Sequence, residues 1–436
     1  MEFVYNFPHQ ERGATVLFYP TPFCPVGCKY CFETPFKYNK SYDKKAMKNT
    51  FISLMDHLQF KNVILHGGEP LKLPIKDFEY FFKLASQYVD HPSLQTSLWG
   101  LTDKHIAILK EYKVSIGVSI DGPQELNSLR GPRDPVLNQK FQLEINKNLE
   151  RLKTENMNPG VISILTKTNT DTKEKLDRLI EWSRTKTGGG RFNPMFVPNF
   201  DPNHPCHSDV LSSEEFKNVW LYLLEASIQY SDFNPAFVSE MRDNLLGFHL
   251  ASCTFARCDY LTTQCMTILP DGGLSRCDRC LQDGYHYRAQ TPTQQRAFML
   301  EQTECKGCKY WNVCGGGCPG EALNKNYRAK TEFCEAYYAV YKRLEDILRR
   351  SYPYLALSID VPNFFEEFQQ KGRVMHEHLR LLREDSMRPK NLEQKEKGNQ
   401  CENENQNRPH SDHDDVSQVY HVDGNVKGFV SPKGRI

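Results

Sequence analysis

The sequence predicts an α/β protein: a partial (β/α)6, TIM-like barrel, then a cysteine-rich domain, then a disordered C-terminal tail. Three observations predict it. Short β-rich runs alternate with amphipathic stretches between residues 14 and 197, Cys and Gly crowd the segment from Ala251 to Cys334, and beyond Asp385 the chain turns to Asn, Gln, Glu and Lys.

The candidate strands are ATVLFY (14–19), NVILH (62–66), LQTSLW (94–99), VSIGVSI (114–120), GVISIL (160–165) and RFNPMFV (191–197). Each is a short apolar run bounded by Gly, Pro or polar turn residues. Between them lie amphipathic segments such as KKAMKNTFISLMDHL, TDKHIAILKEY and KEKLDRLIEWSRT. Strict alternation implies right-handed parallel crossovers. Six such units make a partial barrel rather than a closed eightfold one.

After Phe200, DPNHPCHSD reads as a loop and LSSEEFKNVWLYLLEASIQ as a helix, with Ser212 and Glu215 spaced as a capping box. From Ala251 to Cys334 periodicity fades, and a core made of metal clusters needs little regular structure. Two helical stretches follow, EAYYAVYKRLEDILRR and FFEEFQQKGRVMHEHLRLLRE. The polar tail beyond cannot bury enough apolar surface to order itself. Its last part, VYHVDGNVKGFV, has the pattern of a small hairpin at Asp423-Gly424. The boundaries expected are 1–230, 231–345, 346–384 and 385–436.

Charge is balanced, 55 Lys and Arg against 54 Asp and Glu, which gives no argument for nucleic acid or a membrane surface as partner. The N-terminus MEFVYNFPHQERG has neither a basic start nor an apolar core, and no run of about 18 apolar residues occurs. The expectation is a soluble cytoplasmic protein. Fifteen cysteines in such a setting point to metal ligation rather than disulfides, with zinc and iron-sulfur clusters the alternatives.

Spacing decides between them at TPFCPVGCKYCFE, where Cys24, Cys28 and Cys31 fall within eight positions. A structural zinc site takes four protein ligands, so a lone three-thiolate loop leaves it incomplete. A [4Fe-4S] cluster on three thiolates leaves one iron open to a small molecule. In this motif, with the aromatic Tyr30 before the last Cys and the first strand just upstream, the chain resembles the radical S-adenosylmethionine (SAM) enzymes. The resemblance implies that SAM chelates the open iron and is cleaved reductively to methionine and a 5'-deoxyadenosyl radical. The family's Gly-Gly-Glu-Pro motif corresponds to HGGEP, directly after the second strand, which makes Gly67, Gly68 and Glu69 candidate SAM contacts alongside Tyr30. Glycines admit close backbone approach, and a carboxylate accepts from an ammonium. By itself the segment is an ordinary strand-to-loop turn. In VSIDGP, Ser119 is the candidate near the ribose, Asp121-Gly122-Pro123 reads as a turn, and Arg130 is a weaker candidate.

A second cysteine set is Cys305-x2-Cys308-x5-Cys314-x3-Cys318, then Cys334, preceded by Cys258, Gly272 and Cys277. Together these resemble the seven-cysteine pattern of the SPASM domain, which carries two auxiliary [4Fe-4S] clusters. Zinc-ribbon spacing is the plainer alternative, for which x5 and x3 gaps are unusual. The resemblance assigns Cys305, Cys308, Cys314 and Cys334 to the outer cluster and Cys258, Cys277 and Cys318 to the inner one. Cys253 is the expected fourth ligand of the inner cluster, with Cys265 and Cys280 as rivals. Cys206, between His204 and His207, reads as a loop residue. Asp278 follows Cys277 at the place where sulfatase-maturating enzymes carry their catalytic base. The other reading is a turn residue or a partner of Arg276 or Arg279.

Most enzymes of the architecture this chain resembles modify peptides or proteins. The run RCDYLTTQCMTILPDGGLSRCDR looks closest to streptide-type crosslinking maturases, so the leading expectation is a radical SAM peptide maturase forming an intramolecular crosslink. Its alternative is an anaerobic sulfatase-maturating enzyme converting Ser or Cys to formylglycine. A non-catalytic zinc or iron-sulfur adaptor is the reading from another class. Expected partners are a peptide or protein substrate and an electron donor such as flavodoxin or ferredoxin. Only about thirteen residues precede the first strand, so the expectation is that a leader peptide is recognised by another protein, the SPASM region or the C-terminal extension.

Overall fold

A computed structural model describes residues 15–31, 41–58, 60–187, 189–194, 208–247, 265–275, 293–326 and 329–360. All six expected strands form: β1 (Thr15–Phe18), β2 (Asn62–Leu65), β3 (Ser93–Thr96), β4 (Ser115–Ser119), β5 (Gly160–Leu165) and β6 (Gly189–Pro194). They lie side by side in chain order and run parallel, the wall of a partial barrel. β3 stops at Thr96, short of the expected 99, because Ser97 turns its N–H to a side chain and Leu98 enters the left-handed region at φ 67°.

The crossovers are α1 (Lys44–Leu58), α2 (Ile75–Ala85), α3 (Asp103–Glu111), α4 (Pro135–Thr154), the short α5 (Lys167–Thr170) and α6 (Lys173–Lys186). Alternation along each strand sends one set of side chains under these helices. Phe18 of β1 meets Phe51 of α1 and Phe81 of α2 at centroid distances of 4.7 and 5.1 Å. The other set, including Leu17, Ile64, Gln95, Ser119 and Ile164, stays half-buried on the concave face. Packing thus consumes the convex face and leaves the concave one for a site.

α7 (Ser213–Gln229) begins with the expected capping box, Glu215 N–H donating to Ser212 Oγ at 3.2 Å and Ser212 N–H to Glu215 Oε2 at 2.7 Å. β7 (Asn234–Pro235) then adds beside β6, and α8 (Ala236–Leu245) follows. The cysteine-rich segment departs from expectation in one respect. Its strand β8 (Cys265–Ile268) pairs in parallel with β1 at the opposite edge, Thr15 facing Cys265 and Phe18 facing Ile268, and β9 (Leu274–Ser275) turns back antiparallel. Regular structure forms there because β1 needs an edge partner and Met266 and Ile268 supply apolar side chains that are fully buried.

Downstream come α9 (Thr293–Gln302), the short α10 (Trp311–Cys314) and α11 (Cys334–Ser351), the last one close to the expected helix. Aromatic rings join it to the barrel side: Trp220 of α7 stacks on Phe237 of α8 at 4.5 Å and meets Tyr337 of α11 at 5.2 Å. The expected helix after Pro362, the polar tail and the hairpin at Asp423-Gly424 lie outside the described residues. Among the described residues no helix is long and apolar enough to cross a membrane.

Candidate functional site

Leaving β1, the chain passes over the loop after β2. Gly68 N–H donates to Thr21 O and Glu69 N–H to Phe23 O, both at 2.9 Å. The two glycines make that approach possible. A Cβ on Gly68 would sit 2.2 Å from Phe23 O and 2.4 Å from Pro22 O, and one on Gly67, at φ +126°, 2.7 Å from Thr21 O. Thus Gly67 and Gly68 first serve a contact within the chain, the one that aims the next residues, Cys24 to Cys31.

A turn with Cys31 N–H donating to Cys28 O at 3.2 Å brings those two residues together, and Lys29 N–H donates to Leu129 O at 2.9 Å, pinning the loop to the segment after β4. The three thiols are neighbours. Burial foremost, then the charges of Glu69, Cys28 and Cys31, push the Cys24 thiol well above the ordinary range. Burial likewise raises Cys28. Thiols held protonated in this way ionise when a metal replaces the proton, so the donor set fits three-thiolate ligation of a cluster.

Glu69 is buried, and its carboxylate takes four hydrogen bonds from the chain. Oε1 accepts from Leu71 N–H at 3.1 Å and Thr96 Oγ1 at 2.6 Å; Oε2 accepts from Ser97 N–H at 2.8 Å and from the Ser97 hydroxyl. A carboxylate has about four acceptor sites, so these donors satisfy it. Here Glu69 is a positioning group that ties the β2 loop to the end of β3, next to Cys24. Ser119 accepts from Gln95 Nε2 at 2.8 Å on the concave face. Gly117 makes room for that amide, since a Cβ there would lie 2.2 Å from Gln95 Oε1.

The arrangement that sequence reasoning passed over centres on Asp121, read there as a turn residue. It is 2% exposed. Its Oδ1 accepts from Arg130 Nη2 at 2.8 Å and from Ile164 N–H at 2.9 Å, and its Oδ2 accepts from the Tyr30 hydroxyl. Arg130 lies over the Tyr30 ring at 5.4 Å, and its charge eases ionisation of Cys28. Among the described residues its Nε is buried without a hydrogen-bond partner, a donor that an anionic ligand beside the thiols could use. The only sequence signal was the place of both residues just after β4. Removing one member of such a buried pair strands the other, so Asp121→Ala is expected to cost about 3–5 kcal/mol, and Tyr30→Phe about 1 kcal/mol. Urea unfolding with iron analysis of each variant checks both values.

The second cysteine set is also gathered. Burial, then Cys334 and Cys308, raise the Cys305 thiol to about 12, and Cys314 is raised by burial and then by Cys334, Cys305 and Cys308. Local bonds shape the frame: Cys308 N–H donates to Cys305 O at 3.0 Å and Cys314 N–H to Tyr310 O at 2.8 Å. Among the described residues, in this set as in the first, no group of three His, Cys, Asp or Glu side chains is placed to hold a single metal ion. Cys318 is buried four residues past Cys314. Cys253, Cys258, Cys277, Asp278, Cys280, Cys206 and the side chain of Cys265 lie outside the described residues.

Residues 18–183 match the profile of the Radical SAM superfamily. An uncharacterized protein of Methanothermobacter thermautotrophicus is 31% identical over 120 residues; the match covers 26% of this chain and 44% of that protein, so the chain spans under half of that relative. A cysteine-type anaerobic sulfatase-maturating enzyme of Clostridium perfringens is 21% identical over 358 residues, 72% of this chain and 91% of that one. Among solved structures, native anSMEcpe with bound AdoMet and Cp18Cys peptide superimposes with TM-score 0.61 at 18% identity, covering 78% of this chain and 99% of that chain. Streptococcus suis SuiB bound to S-adenosylmethionine gives 0.53 at 15%, covering 74% and 76%. At these identities the two structures speak for the fold alone.

Proposed function

We propose, from the premise that this chain is a radical SAM enzyme with a SPASM-like auxiliary region, homologous to anaerobic sulfatase maturases and peptide maturases, that it oxidises a Ser or Cys side chain of a peptide or protein to formylglycine. The observation that carries the radical SAM part is the trio Cys24, Cys28 and Cys31, locked at the end of β1 by Gly68 and Glu69. The sulfatase-type reading is preferred to the crosslinking one that the sequence favours, because the chain spans 99% of anSMEcpe against 76% of SuiB and superimposes better on the former.

In this reading Cys24, Cys28 and Cys31 hold the SAM cluster. Cys305, Cys308, Cys314 and Cys334 hold the outer auxiliary cluster, and Cys258, Cys277 and Cys318, with Cys253, the inner one. When bound, the clusters and SAM supply a 5'-deoxyadenosyl radical for hydrogen abstraction and a sink for the second electron. The protein contributes placement. Arg130, through its spare Nε, and the Gln95–Ser119 pair offer polar contacts to SAM on the concave face. Gly67, Gly68 and Glu69 shape the wall behind the cofactor, and Tyr30 braces the cluster loop. Asp278 takes the proton released as the side chain is oxidised, and a flavodoxin or ferredoxin delivers the first electron.

Anaerobically reconstituted protein, given reductant, SAM and a peptide with a sulfatase-type motif, is expected to yield 5'-deoxyadenosine and a hydrazine-reactive aldehyde at Ser or Cys. A crosslinked product that ignores hydrazine restores the maturase reading, for which the RCD run and the likeness to SuiB speak. Protein holding zinc and little iron, with no deoxyadenosine formed, establishes the adaptor.

A further inference from the structure

Helix α4 turns to solvent a face that mixes unpaired positive charge with apolar surface. Away from its buried Phe141, Ile145 and Leu152 lie Val136, Lys140, Leu143 and Lys147, spaced so that all four share one stripe. Val136 is 63% exposed and Leu143 67%. Lys140 and Lys147 are exposed too, as is Arg133 just before the helix, and among the described residues none of the three has an ion-pair partner. The carboxylates of the helix are engaged: Asp134 caps its first turn by accepting from Leu137 N–H at 2.8 Å, Glu144 accepts from Gly100 N–H at 2.9 Å and Trp99 Nε1 at 3.1 Å, and Glu150 pairs with Lys186. With Asp134 set against Arg133, the two lysines leave the stripe positive.

This face begins beside the loop of Cys24, Cys28 and Cys31. Two side chains of α4 hold the segment that leads into it, Gln142 Nε2 donating to Arg130 O and Asn138 Nδ2 to Pro132 O, both at 2.9 Å. The same segment receives Lys29 N–H at Leu129 O, and Leu129 packs with Tyr30 and Cys28. Packed protein therefore joins the thiols to the helix. From Val136 to Lys147 the stripe runs about 17 Å, a length that one side of a domain of about 100 residues covers.

We propose that this stripe of α4 is the docking face for an acidic electron-carrier protein, the lysines steering it and Val136 and Leu143 seating it. One electron leaves the reduced carrier and one enters the cluster. The inference rests on the reading that Cys24, Cys28 and Cys31 hold a SAM-cleaving cluster, which must be reduced from outside. Electron-transfer encounters bury little area and depend on complementary charge, so a positive face selects an acidic donor.

The test compares two reductants on the full reconstituted chain, chemically reduced flavodoxin freed of excess reductant and dithionite, each read as 5'-deoxyadenosine formed. Lys140→Glu combined with Lys147→Glu is expected to lower flavodoxin-driven kcat/KM about tenfold or more and to flatten its salt dependence, with iron content and dithionite-driven turnover near wild type. Val136→Ser combined with Leu143→Ser is expected to weaken flavodoxin-driven turnover and leave the salt dependence in place. Lys48→Glu combined with Lys76→Glu, at exposed lysines of α1 and α2, is the control of equal net charge. If the α4 charge reversal keeps wild-type turnover with flavodoxin, or if the control falls as far, the inference is overturned. A change in peptide KM that is the same with both reductants gives the stripe to the substrate, and a wild-type dimer that the reversal splits gives it to a second copy; either overturns the proposal. Should the reversal also lose dithionite-driven turnover, Lys140→Ala combined with Lys147→Ala decides: a loss confined to flavodoxin supports the docking face, and any other result defeats it. Wild type that forms no deoxyadenosine with dithionite refutes the cluster reading itself, a result distinct from all of these.

Discussion

Alanine at Cys24, Cys28 or Cys31 is expected to abolish 5'-deoxyadenosine formation, a loss of more than about 10³-fold, because in the proposed reading the three thiols are the whole protein share of one cluster. The loss should come with about four irons while the auxiliary irons remain, since the second cysteine set draws on other elements. Neighbouring groups do not substitute. Glu69, whose charge reaches Cys24, is fully engaged by Leu71, Thr96 and Ser97. Quantifying deoxyadenosine and iron in the three variants settles the matter. Turnover surviving any one substitution would remove the basis of the proposed function.

Gly68→Ala should come next in severity despite adding one methyl group. The new carbon would meet two carbonyl oxygens of the backbone, at 2.2 and 2.4 Å, with no side chain free to swing away. Either the bond from Gly68 N–H to Thr21 O breaks or the Thr21–Phe23 segment shifts, and Cys24 moves with it. The expected destabilisation is about 3 kcal/mol or more, with loss of the SAM cluster. Gly160→Ala is the control, because nothing lies within 4 Å of the added carbon. Denaturant midpoints and iron content of the two variants test this, and a Gly68→Ala protein as stable and iron-loaded as the control would contradict the proposed role of the crossing.

What the sequence determined was local. Cys24, Cys28 and Cys31 lie within a single loop, so their spacing carries the expectation of cluster ligation before any fold is known. Strand and helix periodicity, and the Ser212 and Glu215 cap, likewise depend on neighbours a few residues apart. The tertiary structure decided what joins distant segments. Tyr30 meets Asp121 across 91 positions, Glu69 meets Ser97 across 28, and β8 closes against β1. The physical reason is the same in each case. A buried charge or an open strand edge must find partners, and which partners come within reach is set by how the chain packs, not by the order of its residues.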